Sequence, residues 1–332
     1  MPDTCRKILS VPAGWMPLQS MIALSGQATI FPFYHVVSDR PLPHIRHLYP
    51  FRDPDRFGSD LESMLRLFEP VQLEDYLDGT VQGGRRPRMV LTFDDGLAEC
   101  HSVIAPLLKK KGIPAIFFLN NRFIDNRDLF FRYRASILMD RVSSDREACR
   151  KAAEFLVVPE DQVIRALRMV AGPRIPLLDP LASELGLDFQ RYMEKQPVYM
   201  TTAQIRDLLG WGFAIGGHGA EHEEFTSMEK DEMVRQVRES VEDLRARFGI
   251  STAWFSFPFT SKGVPGSVIR DLLEGNVAGA LFGTAGLKET GLRRFIQRIP
   301  MESMPGSAMS RLKTEYLYYL LKMPLGRNRL RY

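Results

Sequence analysis

The chain has 332 residues, 45% hydrophobic and 25% charged, ordinary proportions for a folded protein of one large α/β domain or two modest ones. The net charge is only +4, so charge alone implies no polyanion partner, and no nucleic acid is expected. The cysteines, Cys5, Cys100 and Cys149, are scattered, odd in number and lack Cys-x-x-Cys spacing, which argues against a disulfide framework or a zinc ribbon.

Residues 1–27 show no clear periodicity and lack the uninterrupted apolar core of a secretory signal. No stretch reaches bilayer-spanning length, so a cytoplasmic location is the expectation. Ala28 to Val37 is rich in β-branched and aromatic residues and reads as a strand, with His35 inside it. Residues 38–54 carry four prolines, His44 and His47, and read as an irregular surface segment of the kind that lines a site. Phe57, Leu61, Met64, Leu65 and Phe68 share one helical face. The basic loop Gly83–Arg88 then delivers the run Met89-Val90-Leu91-Thr92-Phe93, which reads as a buried strand ending in Asp94-Asp95-Gly96. Two neighbouring carboxylates repel unless something positive, such as a metal ion or a shared proton, sits between them.

Val103, Ile104, Leu107 and Leu108 form a helical stripe closed by Gly112, and Ile113–Leu119 is the next buried strand. Strand, helix, strand argues for βα units and a parallel sheet or barrel. Residues 121–197 break that rhythm with helical stretches over Arg132–Val142, Arg146–Phe155 and Pro159–Val170. This insertion reads either as packing or oligomer surface, or as a lid or specificity element. The βα order returns with the capping box Thr201-x-x-Gln204 and the strand Phe213–Gly217, which delivers His218. A helix ending at Gly249, the strand Ala253–Phe257 closed by Pro258, a helix opened by Pro265, and strands over Ala278–Phe282 and Arg294–Ile299 follow. Residues 306–332 read as an aromatic, apolar helix folded back on the domain with a basic tail; docking on a membrane surface or an anionic partner is the other reading.

His218 and His222 are four residues apart and would project from one side of a helical turn. Two histidines and a carboxylate form a common catalytic zinc set that leaves positions open for water and substrate. The aspartate pair and the histidine pair both follow strands, where active sites of parallel α/β folds gather.

At this point Thr92-Phe93-Asp94-Asp95-Gly96 and His218-x-x-x-His222 resemble the polysaccharide deacetylase family, the NodB-homology domain of carbohydrate esterase family 4. The first motif matches letter for letter. The second has Gly219 where Ser or Thr is usual and Glu223 where Pro is usual. Ser256-Phe257-Pro258-Phe259 resembles the third motif, Arg-x-Pro-aromatic, with Ser256 in place of arginine. The resemblance implies a distorted (β/α)7 barrel over residues 28–120 and 198–305. Outside it lie the N-terminal segment 1–27, the helical insertion 121–197, and the C-terminal helix and tail 306–332.

It also implies that Asp95, His218 and His222 hold a divalent metal, with zinc the expected ion, and that Asp94 is the general base for the attacking water. The backbone N–H of Phe259, after Pro258, would be an oxyanion donor. The family's usual acid is a histidine in a C-terminal Leu-x-His motif, but no histidine follows His222. Some members carry the acid in an N-terminal Tyr-His strand. Tyr34-His35 resembles that permuted arrangement, which makes His35 the candidate acid. Arg298 is the candidate to replace the arginine missing at position 256; a surface charge on an edge strand is its other reading. The implied activity is hydrolysis of the N-acetyl group of an amino sugar, oligosaccharide or polysaccharide precursor. A silent carbohydrate-binding relative and a hydrolase of a non-sugar amide are the alternatives. The inner membrane face and a lipid-linked glycan are among the expected settings; oligomeric state is left open.

Overall fold

The computed structural model describes residues 9, 11–79, 86–302, 306–330 and 332; positions 83–85 of the basic loop 83–88 lie outside them. The apolar runs form short parallel strands: β1 (Thr29–Ile30), β2 (Pro32–Tyr34), β3 (Glu69–Pro70), β4 (Arg88–Met89), β5 (Leu91–Phe93) and β6 (Ala115–Leu119). They continue with β7 (Ala214–Gly217), β8 (Trp254–Ser256), β9 (Ala280–Gly283), β10 (Phe295–Gln297) and β11 (Ile299–Pro300). Eight of them make one sheet in the order β10-β9-β8-β7-β6-β5-β2-β11, every pairing parallel; β1, β4 and β3 make a small parallel sheet beside it.

β10 and β11 are one stretch interrupted only at Arg298. Its first half pairs with β9 and its second half with β2. One strand thus bridges both edges of the sheet, and the eight segments nearly close into the expected distorted barrel of seven staves.

The strands read as unbroken apolar runs because both faces are buried. In β6, Ala115, Phe117 and Leu119 join the core beneath the outer helices, while Ile116 and Phe118 join a separate cluster with Phe31, Trp254 and Phe282. Burying Phe117 and Phe118 contributes about 1.5–3 kcal/mol each. Next to them Gly216 allows close strand approach, since a Cβ there would meet the Phe118 ring at 2.7 Å and the Trp254 carbonyl oxygen at 2.9 Å.

Residues 121–197 form helices over Phe131–Ser144, Arg146–Leu156, Val163–Arg168, Leu178–Glu184 and Phe189–Lys195, around their own core of Leu138, Met139, Val163, Leu167 and Leu181. The segment 38–54 is irregular, as expected, and lends His47, Leu48 and Tyr49 to the cavity described below, but it does not lie wholly on the surface. Leu42, His44 and Ile45 are fully buried, packed with Tyr133 and Ile137 of the insertion. The Ser136 hydroxyl donates to the Pro43 carbonyl at 2.6 Å. The C-terminal helix Ala308–Lys322 folds back onto the helices Leu18–Ser25 and Pro54–Leu65. Among the described residues no helix is long and apolar enough to cross a membrane.

Candidate metal centre and active site

Strand β5 delivers Asp94, whose N–H donates to the Tyr34 carbonyl of the neighbouring strand at 3.0 Å. The chain then leaves the sheet through two left-handed residues, Asp95 (φ 72°) and Gly96 (φ 66°). A left-handed non-glycine residue costs on the order of 1–3 kcal/mol and persists where its surroundings demand it. Here the turn sends the adjacent carboxylates to different partners.

The Asp94 carboxylate meets Arg298 in a two-pronged pair. Nη1 donates to Oδ1 and Nη2 to Oδ2, both at 2.7 Å. Arg298 is fully buried, lies over the Phe33 ring at 4.4 Å, and donates also to the Thr92 and Ser256 hydroxyls at 3.0 and 2.6 Å. Burial pushes the Asp94 carboxyl up, but the Arg298 guanidinium and His218 more than reverse this and hold it below the usual carboxylate range. The surface-charge reading of Arg298 does not hold.

Asp95 faces the histidines. Its Oδ1 lies 3.2 Å from His222 Nε2 and 3.5 Å from His218 Nε2, and one donor atom from each of the three residues falls within 4.8 Å of the others. His218 Nδ1 donates to the Ser256 carbonyl at 2.8 Å, which leaves the Nε2 lone pair toward Asp95. Burial pushes the Asp95 carboxyl up, and the histidines hold it well below its ordinary value; burial also pulls His222 down toward the neutral form that ligates. Asp95 Oδ1 is buried and has no hydrogen-bond partner. An orphaned carboxylate oxygen between two imidazole nitrogens is the donor set and arrangement a divalent cation requires.

The histidines do not share a helical turn, as their spacing implied. Residues 218–222 form an irregular loop with Gly219 (φ 77°) and His222 (φ 56°) left-handed. Asn120 Nδ2 holds the loop by donating to the carbonyls of His218 (2.5 Å) and Gly219 (3.3 Å).

The family described as polysaccharide deacetylase matches residues 82–265, more than half of the chain. The chain belongs to the polysaccharide deacetylase family. No curated protein matches it by sequence. Its fold is similar to that of the Streptococcus pyogenes deacetylase PplD, solved in complex with acetate, with a TM-score of 0.55 and 13% identity over 86% of this chain and 97% of that one. IcaB from Ammonifex degensii gives 0.54 and 15% over 87% and 97%. The de-N-acetylase from Aggregatibacter actinomycetemcomitans gives 0.51 and 15% over 86% and 99%.

In this member of the family a cavity of about 530 Å³ opens over Asp95, His218 and His222 and is also lined by His35, Asp94 and Phe259. Glu302, which the sequence did not single out, organises His35. Its carboxylate accepts from the backbone N–H groups of His35 and Val36 at 3.1 Å and from His35 Nδ1 at 2.6 Å. Burial pulls the imidazole down, yet Glu302 carries it up to about 9. The one signal for Glu302 was its place just past the end of β11.

Phe259 is left-handed (φ 57°), and its N–H has no acceptor among the described residues. Its carbonyl accepts from the Thr284 hydroxyl at 3.1 Å, and Pro258 packs against the loop at Gly219. The sequence also missed Tyr133. From the insertion's first helix its buried hydroxyl donates to Asp95 Oδ2 at 2.6 Å.

Proposed function

We propose that this chain hydrolyses the N-acetyl group of an amino sugar or saccharide, as a metal-dependent deacetylase of the permuted-acid arrangement. The observation that carries the reading is one cavity edged by the Asp95-His218-His222 cluster, the Arg298-clamped Asp94 and the Glu302-bound His35. Asp95, His218 and His222 would hold the divalent metal, with zinc the best match to a two-histidine, one-carboxylate set. When bound, the ion supplies positive charge that polarises the amide carbonyl and acidifies water in the site.

The protein's own groups do the rest. Arg298 keeps Asp94 ionised and fixed in direction, so that it takes the proton of the attacking water. The Phe259 N–H donates to the oxyanion as it forms. His35, cationic at neutral pH and held at Nδ1 by Glu302, delivers the Nε2 proton to the departing amine. Tyr49, Phe130 and Phe259 give the cavity aromatic faces for a sugar ring. PplD is a deacetylase and the Aggregatibacter protein a de-N-acetylase, which supports the reaction class.

The test is a panel of N-acetylated sugars and non-sugar amides given to zinc-reconstituted protein, with products identified by mass spectrometry. Loss of one acetyl group from the sugars is the expected result. Turnover of the non-sugar amides alone would overturn the saccharide assignment. Should His35→Ala work near the wild-type rate while His222→Ala is dead, the acid is another group.

A further inference from the structure

Of the insertion's arginines, Arg132 and Arg168 are the two that line the cavity described above. Arg122, Arg127, Arg134, Arg141 and Arg150 each meet a carboxylate elsewhere. Arg132 and Arg168 meet none among the described residues, and the cavity they line also holds Asp95, His218 and His222. They arrive from different helices, Arg132 in the first turn of Phe131–Ser144 and Arg168 at the end of Val163–Arg168. The Arg132 guanidinium lies over the Phe259 ring at 4.7 Å, and that ring stands 4.6 Å from the His222 ring. A cation is thus stationed two ring contacts from a metal ligand.

The cavity's own acids cannot neutralise it. Asp94 is taken by Arg298, and Asp95 by the histidines and Tyr133. Arg132 is itself exposed, and Glu224, the acid whose field it feels, forms no ion pair with it among the described residues. Glu221, Glu223 and Glu224 border the adjoining cavity on the other side of Arg132, but none pairs with it. An exposed guanidinium with no ion-pair partner among the described residues, on the wall of this cavity, matches a phosphate or carboxylate with paired N–H donors.

We propose that Arg132 and Arg168 receive a negatively charged group, phosphate or carboxylate, carried by the N-acetylated sugar beside the acetamide that is cut. The identity of the ligand as a sugar rests on the deacetylase reading; the charge preference does not. Of the two roles open to the insertion, this makes it the specificity element.

The experiment is calorimetric binding of three ligands to the zinc-reconstituted protein: neutral N,N′-diacetylchitobiose, N-acetylglucosamine 1-phosphate, and a disaccharide of glucuronate and N-acetylglucosamine. Acetate release is followed in parallel. At least one anionic ligand is expected to bind tenfold or more tighter than the neutral one, and the two anionic arms tell phosphate from carboxylate. The preference narrows in high salt. It falls part-way in Arg168→Gln, an exposed position that does not endanger folding, and to about one in Arg132→Gln/Arg168→Gln. Equal binding of all three ligands, or a preference that survives in the double variant, overturns the proposal. Acetate released without any charge preference sinks this proposal alone. A charge preference without acetate release from any ligand sinks the deacetylase reading and supports the anion site.

Discussion

Arg298 and Asp94 stand 204 residues apart in the chain and form a two-pronged pair inside the barrel, with the Ser256 hydroxyl accepting from the same guanidinium. The guanidinium comes from the single residue that separates β10 from β11, so the stretch that closes the barrel also orients Asp94. Ser256 remains in the arrangement as an acceptor of Arg298 and, through its carbonyl, as the anchor of His218.

Removing one partner of a buried ion pair strands the other charge, at a cost of about 3–5 kcal/mol. Arg298→Met is therefore expected to lose stability on that scale in denaturant unfolding of the metal-free protein. Asp94→Asn/Arg298→Met should lose clearly less than the two single losses added together. Strict additivity would show that the pair does not couple.

Tyr133 holds the outer oxygen of a candidate metal ligand. Groups in that position typically govern metal affinity by 10–100-fold. Tyr133→Phe is expected to weaken zinc binding within that range in a competitive chelator titration, with the circular dichroism spectrum unchanged. Unaltered affinity would reduce the 2.6 Å contact to packing.

His35 is raised to about 9 by Glu302. Its folded pKa lies above its unfolded value, near 6.5, so the stabilisation is full below about pH 6.5 and is lost as pH rises through about 9. Wild-type stability should fall across that window by on the order of 2–3 kcal/mol relative to Glu302→Gln. An NMR titration of His35 should show its pKa dropping in the variant. An unchanged pKa would remove Glu302 from the account.

The fold and the residues of the candidate metal cluster were readable because they write local signals. The longer strands of the main sheet are short apolar runs largely buried on both faces, and Asp94-Asp95-Gly96 and His218 stand directly at strand ends. The histidine loop was misread because a four-residue spacing looks helical, and nothing local announces that His222 as well as Gly219 turns left-handed. Glu302 and Tyr133 were missed because their contacts cross 267 and 38 residues of chain. Arg298 was found by asking what could hold Asp94, not from its own neighbourhood. The prolines of 38–54 correctly marked irregular backbone, but irregular chain is exposed only when nothing packs over it, and here the insertion does.

The central claim is that the three-residue cluster holds a metal that this site uses to release acetate. The most direct measurement is acetate produced from N-acetylglucosamine oligomers by protein stripped with chelator and then reconstituted with zinc, beside His222→Ala treated identically. Acetate release that disappears on stripping, returns with about one equivalent of zinc and never appears in His222→Ala is the predicted result. Acetate released at the same rate by the stripped wild-type protein, or by His222→Ala, would contradict it.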